Sequence, residues 1–175
     1  MTHQFAVNIK SISDAGRFTG YAAVFNTPDL SGETISPGAF RSTLASRDQT
    51  LPLLLSHDTK EPVGIFRVLK EDSKGLYVEG ELNLDTQKGK DTYSLMRQGA
   101  LGGLSIAFLP DKFVLNKDGT RTITALTLLE ISLTPVAAQP LARVTSVRSF
   151  QTDEGDETED WASIIQALEG FVNSD

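Results

Sequence analysis

Residues 51–84, LPLLLSHDTKEPVGIFRVLKEDSKGLYVEGELNL, read as three β-strands in succession. Residues 51–56 form an apolar run, and residues 63–70 are rich in β-branched, aromatic and aliphatic side chains. In residues 76–84, Leu76, Val78, Leu82 and Leu84 share one parity while Glu79, Glu81 and Asn83 take the other. Successive side chains of a strand point to opposite faces, so this alternation describes a strand with one wet face.

Outward from this block the pattern stays β. Residues 5–12 alternate apolar and polar side chains, and residues 17–25 follow the turn-prone Ser13-Asp14-Ala15-Gly16, which predicts an opening hairpin. Residues 26–38 carry Pro, Asp, Ser and Gly and read as a loop leading into a short helix over 39–45. Residues 87–98 change to helical spacing, with Tyr93, Met96 and Arg97 on that repeat and Gly99 where a helix stops. Residues 104–108 and 112–115 then read as strands. After the turn Asn116-Lys117-Asp118-Gly119, residues 120–135 supply two more β-prone runs. Short strands at close spacing with one or two helices predict a mainly β (α+β) domain over residues 1–150. Its expected form is a small closed or nearly closed antiparallel barrel with a few surrounding helices.

The composition changes after Phe150. Residues 151–175 hold eight acids and no Lys or Arg, so they carry the acidity of a chain whose net charge is −7. Without them the balance is sixteen basic residues against fifteen acids. Residues 151–160 read as a solvated acidic linker, and residues 161–172 as an amphipathic helix with Trp161, Ile164, Ile165, Leu168, Phe171 and Val172 on one face. That face suits docking on the core or contact with a partner equally.

These numbers exclude several function classes. A near-neutral domain with scattered basic residues lacks the concentrated positive face that nucleic acid requires, so no nucleic-acid partner is expected. No stretch approaches the roughly 18 apolar residues of a membrane span, and the N-terminal residues carry no basic segment followed by an apolar one. The expectation is a soluble, unexported protein with no membrane contact. Cysteine is absent, which removes thiolate nucleophiles, disulfides and Cys-rich zinc sites. With two histidines and no calcium-loop spacing, no metal and no cofactor is expected.

Chemistry at neutral pH then narrows to few residues. His3 is near the start of the chain, so an imidazole mechanism falls to His57, at the end of an apolar strand beside a loop. Ser105, in Gly102-Gly103-Leu104-Ser105-Ile106-Ala107-Phe108, follows two glycines that allow close backbone approach, and an apolar strand would aim its hydroxyl. Glu130 interrupts the apolar residues 126–133, where a buried carboxylate needs a donor such as a histidine N–H. Each has an ordinary alternative: a structural histidine, a strand serine bonded to local backbone, and a glutamate on the wet face of an edge strand. Asp58 competes with Glu130 as a partner of His57. The order helix, glycine turn, strand, with histidine first, is not that of a nucleophile elbow. Residues 99–103 also lack the Lys and following helix of a phosphate loop.

The ordered pieces Gly20-Tyr21-Ala22-Ala23-Val24-Phe25-Asn26, Ile35-Ser36-Pro37-Gly38-Ala39-Phe40, Leu54-Leu55-Ser56-His57-Asp58, Pro62-Val63-Gly64 and Gly75-Leu76-Tyr77-Val78 continue into the Ser105 segment. They close with Leu129-Glu130-Ile131-Ser132-Leu133-Thr134-Pro135-Val136-Ala137-Ala138. Over residues 20–144 this series resembles the tailed-phage prohead proteases, capsid maturation peptidases similar to herpesvirus assemblin. The resemblance implies a serine endopeptidase on a β-barrel of assemblin type, with His57 as base and Ser105 as nucleophile. Assemblins use a second histidine as third member, and here Glu130 stands in that place. The resemblance also implies the major capsid protein or scaffold as substrate, self-cleavage and self-association, inside the assembling procapsid in the host cytoplasm. Candidate oxyanion donors are the backbone around Gly102 and Gly103, and Arg143. The competing expectation is a non-enzymatic capsid-assembly or scaffold-binding module.

Overall fold

The computed structural model describes residues 15–46 and 50–146. The expected strand over residues 5–12, His3, and the acidic linker and amphipathic helix of residues 151–175 lie outside the described residues. The elements run β1 (Arg17–Val24), β2 (Thr34–Ile35), α1 (Arg41–Ala45), β3 (Leu51–Leu55), β4 (Asp58–Glu71), β5 (Gly75–Leu82), α2 (Gln87–Arg97), β6 (Gly103–Leu115), β7 (Arg121–Thr134) and β8 (Val144–Ser146).

The three strands expected from residues 51–84 form as an antiparallel series. β3 pairs with β4, β4 with β5, and β5 with β1. The alternation in β5 is reproduced, with Leu76, Val78 and Leu82 buried and Tyr77, Glu79 and Glu81 half-buried. Phe18 of β1 and Phe66 of β4 meet edge to face in the core with ring centroids 6.0 Å apart. Helix α2 starts at Thr86, whose side chain accepts the Gly89 N–H, and it buries Thr92 and Met96.

The architecture is mainly β, and it differs from the expected antiparallel barrel in two respects, parallel pairings and an open sheet. The ladders form a mixed sheet in the order β2-β7-β3-β4-β5-β1-β8, with β6 on β7. β2 and β3 both run parallel to β7. Parallel neighbours need a long crossover, and the excursion through β4, β5, α2 and β6 returns the chain to β3 in the same direction. The sheet is open. A single bridge between Gly103 and Arg143 links the start of β6 to the segment entering β8. Gly20 permits this crowding, since a Cβ there would lie 2.6 Å from the Arg143 carbonyl oxygen and 2.8 Å from Leu104 Cδ1.

β6 and β7 are each longer than the runs read from sequence. β6 passes through Pro110, which has no N–H to give a ladder, and the register slips between Pro110 and Lys112. β7 takes β6 along one edge, and the other edge carries β2 and β3 with a gap between them. Helix α1 and the residues before it fill that gap: the Leu126 N–H donates to the Ala39 carbonyl and the Leu128 N–H to Thr43 Oγ1. Both buried donors are thereby satisfied.

Gln139 stitches the segment before β8 to β1. Its carbonyl accepts the Val24 N–H, and its amide donates to the carbonyls of Val24 at 2.8 Å and Thr27 at 2.7 Å. The residue is buried, so truncation orphans three backbone groups. Gln139→Ala is expected to cost about 2–4 kcal/mol in denaturant unfolding, and Gln139→Glu as much, because a carboxylate cannot donate to two carbonyls. A loss under about 0.5 kcal/mol, the range of neutral surface changes, would contradict this role.

Candidate active site

β7 is the strand on which the site is assembled. Ile131 and Leu133 are fully buried in the core, so alternation sends Glu130 and Ser132 to the opposite face. Ser132 lies opposite Ser105 across the β6–β7 ladder and opposite Leu54 across the parallel β3–β7 ladder. One row across three strands therefore leads from the nucleophile candidate to the end of β3.

His57 reaches that row from the β3–β4 turn. Leu55 pairs with Asp58, leaving Ser56 and His57 as a two-residue turn with φ of 51° and 64°. Positive φ at both central residues is the type I′ pattern that matches the twist of a hairpin. Asn-Gly is its usual signal, and neither Ser56 nor His57 announces it, so the sequence reading begins the strand at residue 63 whereas β4 starts at Asp58. The turn is pinned to β7 by its backbone: the Ser56 N–H donates to the Leu133 carbonyl at 2.9 Å and the His57 N–H to Ser132 Oγ at 3.0 Å.

The imidazole then bridges two side chains. His57 Nδ1 is 2.5 Å from Glu130 Oε1, and Nε2 is 3.0 Å from Ser105 Oγ. With its proton on Nδ1, a neutral imidazole donates to the carboxylate and turns an unprotonated nitrogen to the hydroxyl. The second carboxylate oxygen, Oε2, accepts the Ser132 hydroxyl at 2.7 Å. Glu130 is thus a largely buried carboxylate with a donor on each oxygen, its side chain 14% exposed against 44% for His57. Asp58 takes no part, since its Oδ1 accepts the Lys60 N–H at 2.9 Å.

Ser105 is buried to 5% exposure in the protein and opens on a cleft whose walls are mainly apolar: Ala22, Ala23, Ile35, Leu104, Ile106 and Phe108. Gly103 is wedged beside it, where a Cβ would come within 2.8 Å of the Thr134 carbonyl. Arg143 turns its side chain back, donating from Nε to the Pro140 carbonyl at 2.8 Å. The geometry brings His57, Ser105 and Glu130 together and leaves Asp58 out. Ser132 was missed in the sequence, although a Glu-x-Ser spacing within a strand places both side chains on one face.

The model of the caudovirus prohead serine protease family matches residues 4–157. The prohead protease of Enterobacteria phage HK97 is 35% identical over 137 residues, which are 77% of this chain and 61% of that protein. The chain therefore spans less than two thirds of that relative's length. The capsid polyprotein of Pseudomonas phage PAJU2 is 24% identical over 156 residues, covering 85% of this chain and 22% of the polyprotein. Among solved structures, the bacteriophage T4 capsid assembly protease is similar with a TM-score of 0.55 at 13% identity, covering 67% of this chain and 80% of that one. The KSHV protease in complex with a hexapeptide phosphonate inhibitor gives 0.53 at 15% identity, covering 88% and 76%. At these identities the two structures speak for the fold.

The turn that carries His57 holds two non-glycine residues in the left-handed region, at about 1–2 kcal/mol each. Ser56→Gly is expected to stabilise the protein by up to about 1 kcal/mol, with part of the gain offset by the freer unfolded chain. Ser56→Val is expected to destabilise it, because a β-branched side chain is least tolerated there. Thermal unfolding of the two variants reads the difference, and the reverse order would rule out a strained turn.

Proposed function

This chain belongs to the caudovirus prohead serine protease family, and we propose that it is a serine endopeptidase with Ser105 as nucleophile, His57 as base and Glu130 as the partner of the imidazole. The observation that carries this reading is the continuous path from Glu130 Oε1 through the two nitrogens of His57 to Ser105 Oγ. A serine hydroxyl is a weak nucleophile until a base takes its proton. His57 Nε2 removes that proton as Oγ attacks the peptide carbonyl, and the tetrahedral intermediate collapses as Nε2 returns the proton to the leaving amine. Water, deprotonated by the same nitrogen, then resolves the acyl-enzyme. Glu130 keeps the Nδ1 proton in place and offsets the charge of the imidazolium.

Developing negative charge on the carbonyl oxygen needs preorganised donors. The candidates are the backbone around Gly102 and Gly103 and, as the weaker one, Arg143, whose Nε is held by the Pro140 carbonyl while its terminal N–H groups remain. The apolar cleft beside Ser105 receives substrate side chains. The open sheet, bridged once at Gly103 and Arg143, is read as a variant of the assemblin-type barrel.

The substrate is the major capsid protein or scaffold, cut inside the assembling procapsid in the host cytoplasm, with cleavage of the protease's own chain as a companion reaction and self-association as its setting. The likeness to a region of a protein named capsid polyprotein supports a capsid chain as target, including one continuous with the protease. Residues 1–150 are proposed as the protease unit, and the acidic residues 151–175 as a segment that engages the shell.

Coexpression with capsid and scaffold proteins tests this reading. Ser105→Ala and His57→Ala are expected to abolish processing, a fall of at least about 10⁴-fold, and Glu130→Gln to lower it by about 10³–10⁴-fold through loss of the oriented tautomer. Undiminished processing by Ser105→Ala would refute the proposal.

A further inference from the structure

Ser132 stands outside the three residues given chemical roles, yet its hydroxyl holds two of their parts together. It is fully buried, and it has one proton to give and lone pairs to receive. Both are used. Oγ accepts the His57 backbone N–H at 3.0 Å and donates to Glu130 Oε2 at 2.7 Å. The carboxylate is left with Oε1 for His57 Nδ1. The same residue sits on the ladder position facing Ser105.

We propose that Ser132 is a positioning residue that locks the imidazole–carboxylate pair, holding the backbone of His57 in its left-handed turn while fixing the orientation of the Glu130 carboxylate. This inference rests on the hydrolytic reading above. Glu130 has several rotatable bonds and His57 is half exposed, so neither side chain is held by packing alone. One buried hydroxyl bonded to both removes the freedom that would separate Nδ1 from Oε1. It also satisfies the His57 N–H at the point where the turn leaves the sheet. Loss of the hydroxyl leaves a part-buried N–H and one carboxylate oxygen without this partner.

The effect belongs in the rate of the chemical step rather than in substrate capture, because Ser132 does not reach the cleft. In steady-state cleavage of a capsid- or scaffold-derived peptide by the full chain, Ser132→Ala is expected to lower kcat by about 10–100-fold, the range found for groups that orient a reacting residue, with KM within about threefold. Ser132→Thr and Ser132→Val have nearly the same shape and differ by a hydroxyl against a methyl, so any cost of extra volume is common to both. Thr is expected to retain most of the kcat and Val to fall with Ala, and this pair decides the matter if Ala folds poorly. Equal kcat for the Thr and Val variants, or a loss that appears in KM alone, overturns the positioning role while wild-type activity still depends on Ser105. Wild-type activity that survives Ser105→Ala overturns the hydrolytic reading, and this inference with it.

Discussion

The parallel pairing of β3 with β7 is the constraint on which the site depends. Leu53, Leu54 and Leu55 align with Ile131, Ser132 and Leu133. Leu53, Ile131 and Leu133 are fully buried and Leu54 nearly so. Turning β7 over by one residue would bring Ile131 and Leu133 out of the core and Glu130 and Ser132 into it, so the alternation of β7 fixes which face carries the site. The same register brings the turn after Leu55 to rest beside Glu130 and Ser132. Packing thus brings the imidazole and the carboxylate within reach of one another, and the Ser132 hydroxyl is bonded to both residues.

The second neighbour of β7 completes the geometry. β6 lies on the opposite edge, with Ser105 facing Ser132 and Ala107 facing Glu130. His57 extends over the resulting face from one side and Ser105 rises from the other, at a separation of 3.0 Å. The left-handed backbone of Ser56 and His57 stores strain, and its backbone bonds to Leu133 and Ser132 offset it. Strain of this kind is sustained only where the surroundings over-determine the conformation, and here one strand supplies both the fastening and the carboxylate. The cleft lined by Ser105 adds a mainly apolar surface beside the nucleophile.

Much of this was legible in the sequence, for physical reasons that differ by element. The alternation of residues 76–84 gave β5, and helical spacing ending at Gly99 gave α2, because both patterns are local. His57 could be singled out since imidazoles are so few, and the need of a buried carboxylate for a donor pointed Glu130 toward it. The parallel pairings were hidden, because nothing local in residues 51–55 tells which strand will lie alongside. The two-residue turn at Ser56 and His57 was equally hidden, since its signal is usually carried by Asn and Gly. Ser132 escaped for a third reason: a serine in an apolar strand looks like any other until its two partners, 75 and 2 residues away, are known. Gln139, bonded across more than a hundred residues, belongs with it.

The central claim is that His57, held by Glu130, activates Ser105. It is tested most directly by the rate at which a fluorophosphonate modifies the protein, with the site of attachment read by mass spectrometry. The account predicts a single adduct on Ser105, formed much more slowly in Glu130→Gln and not at all in His57→Ala. Modification of another residue, or an unchanged rate on Ser105 in His57→Ala, would contradict it.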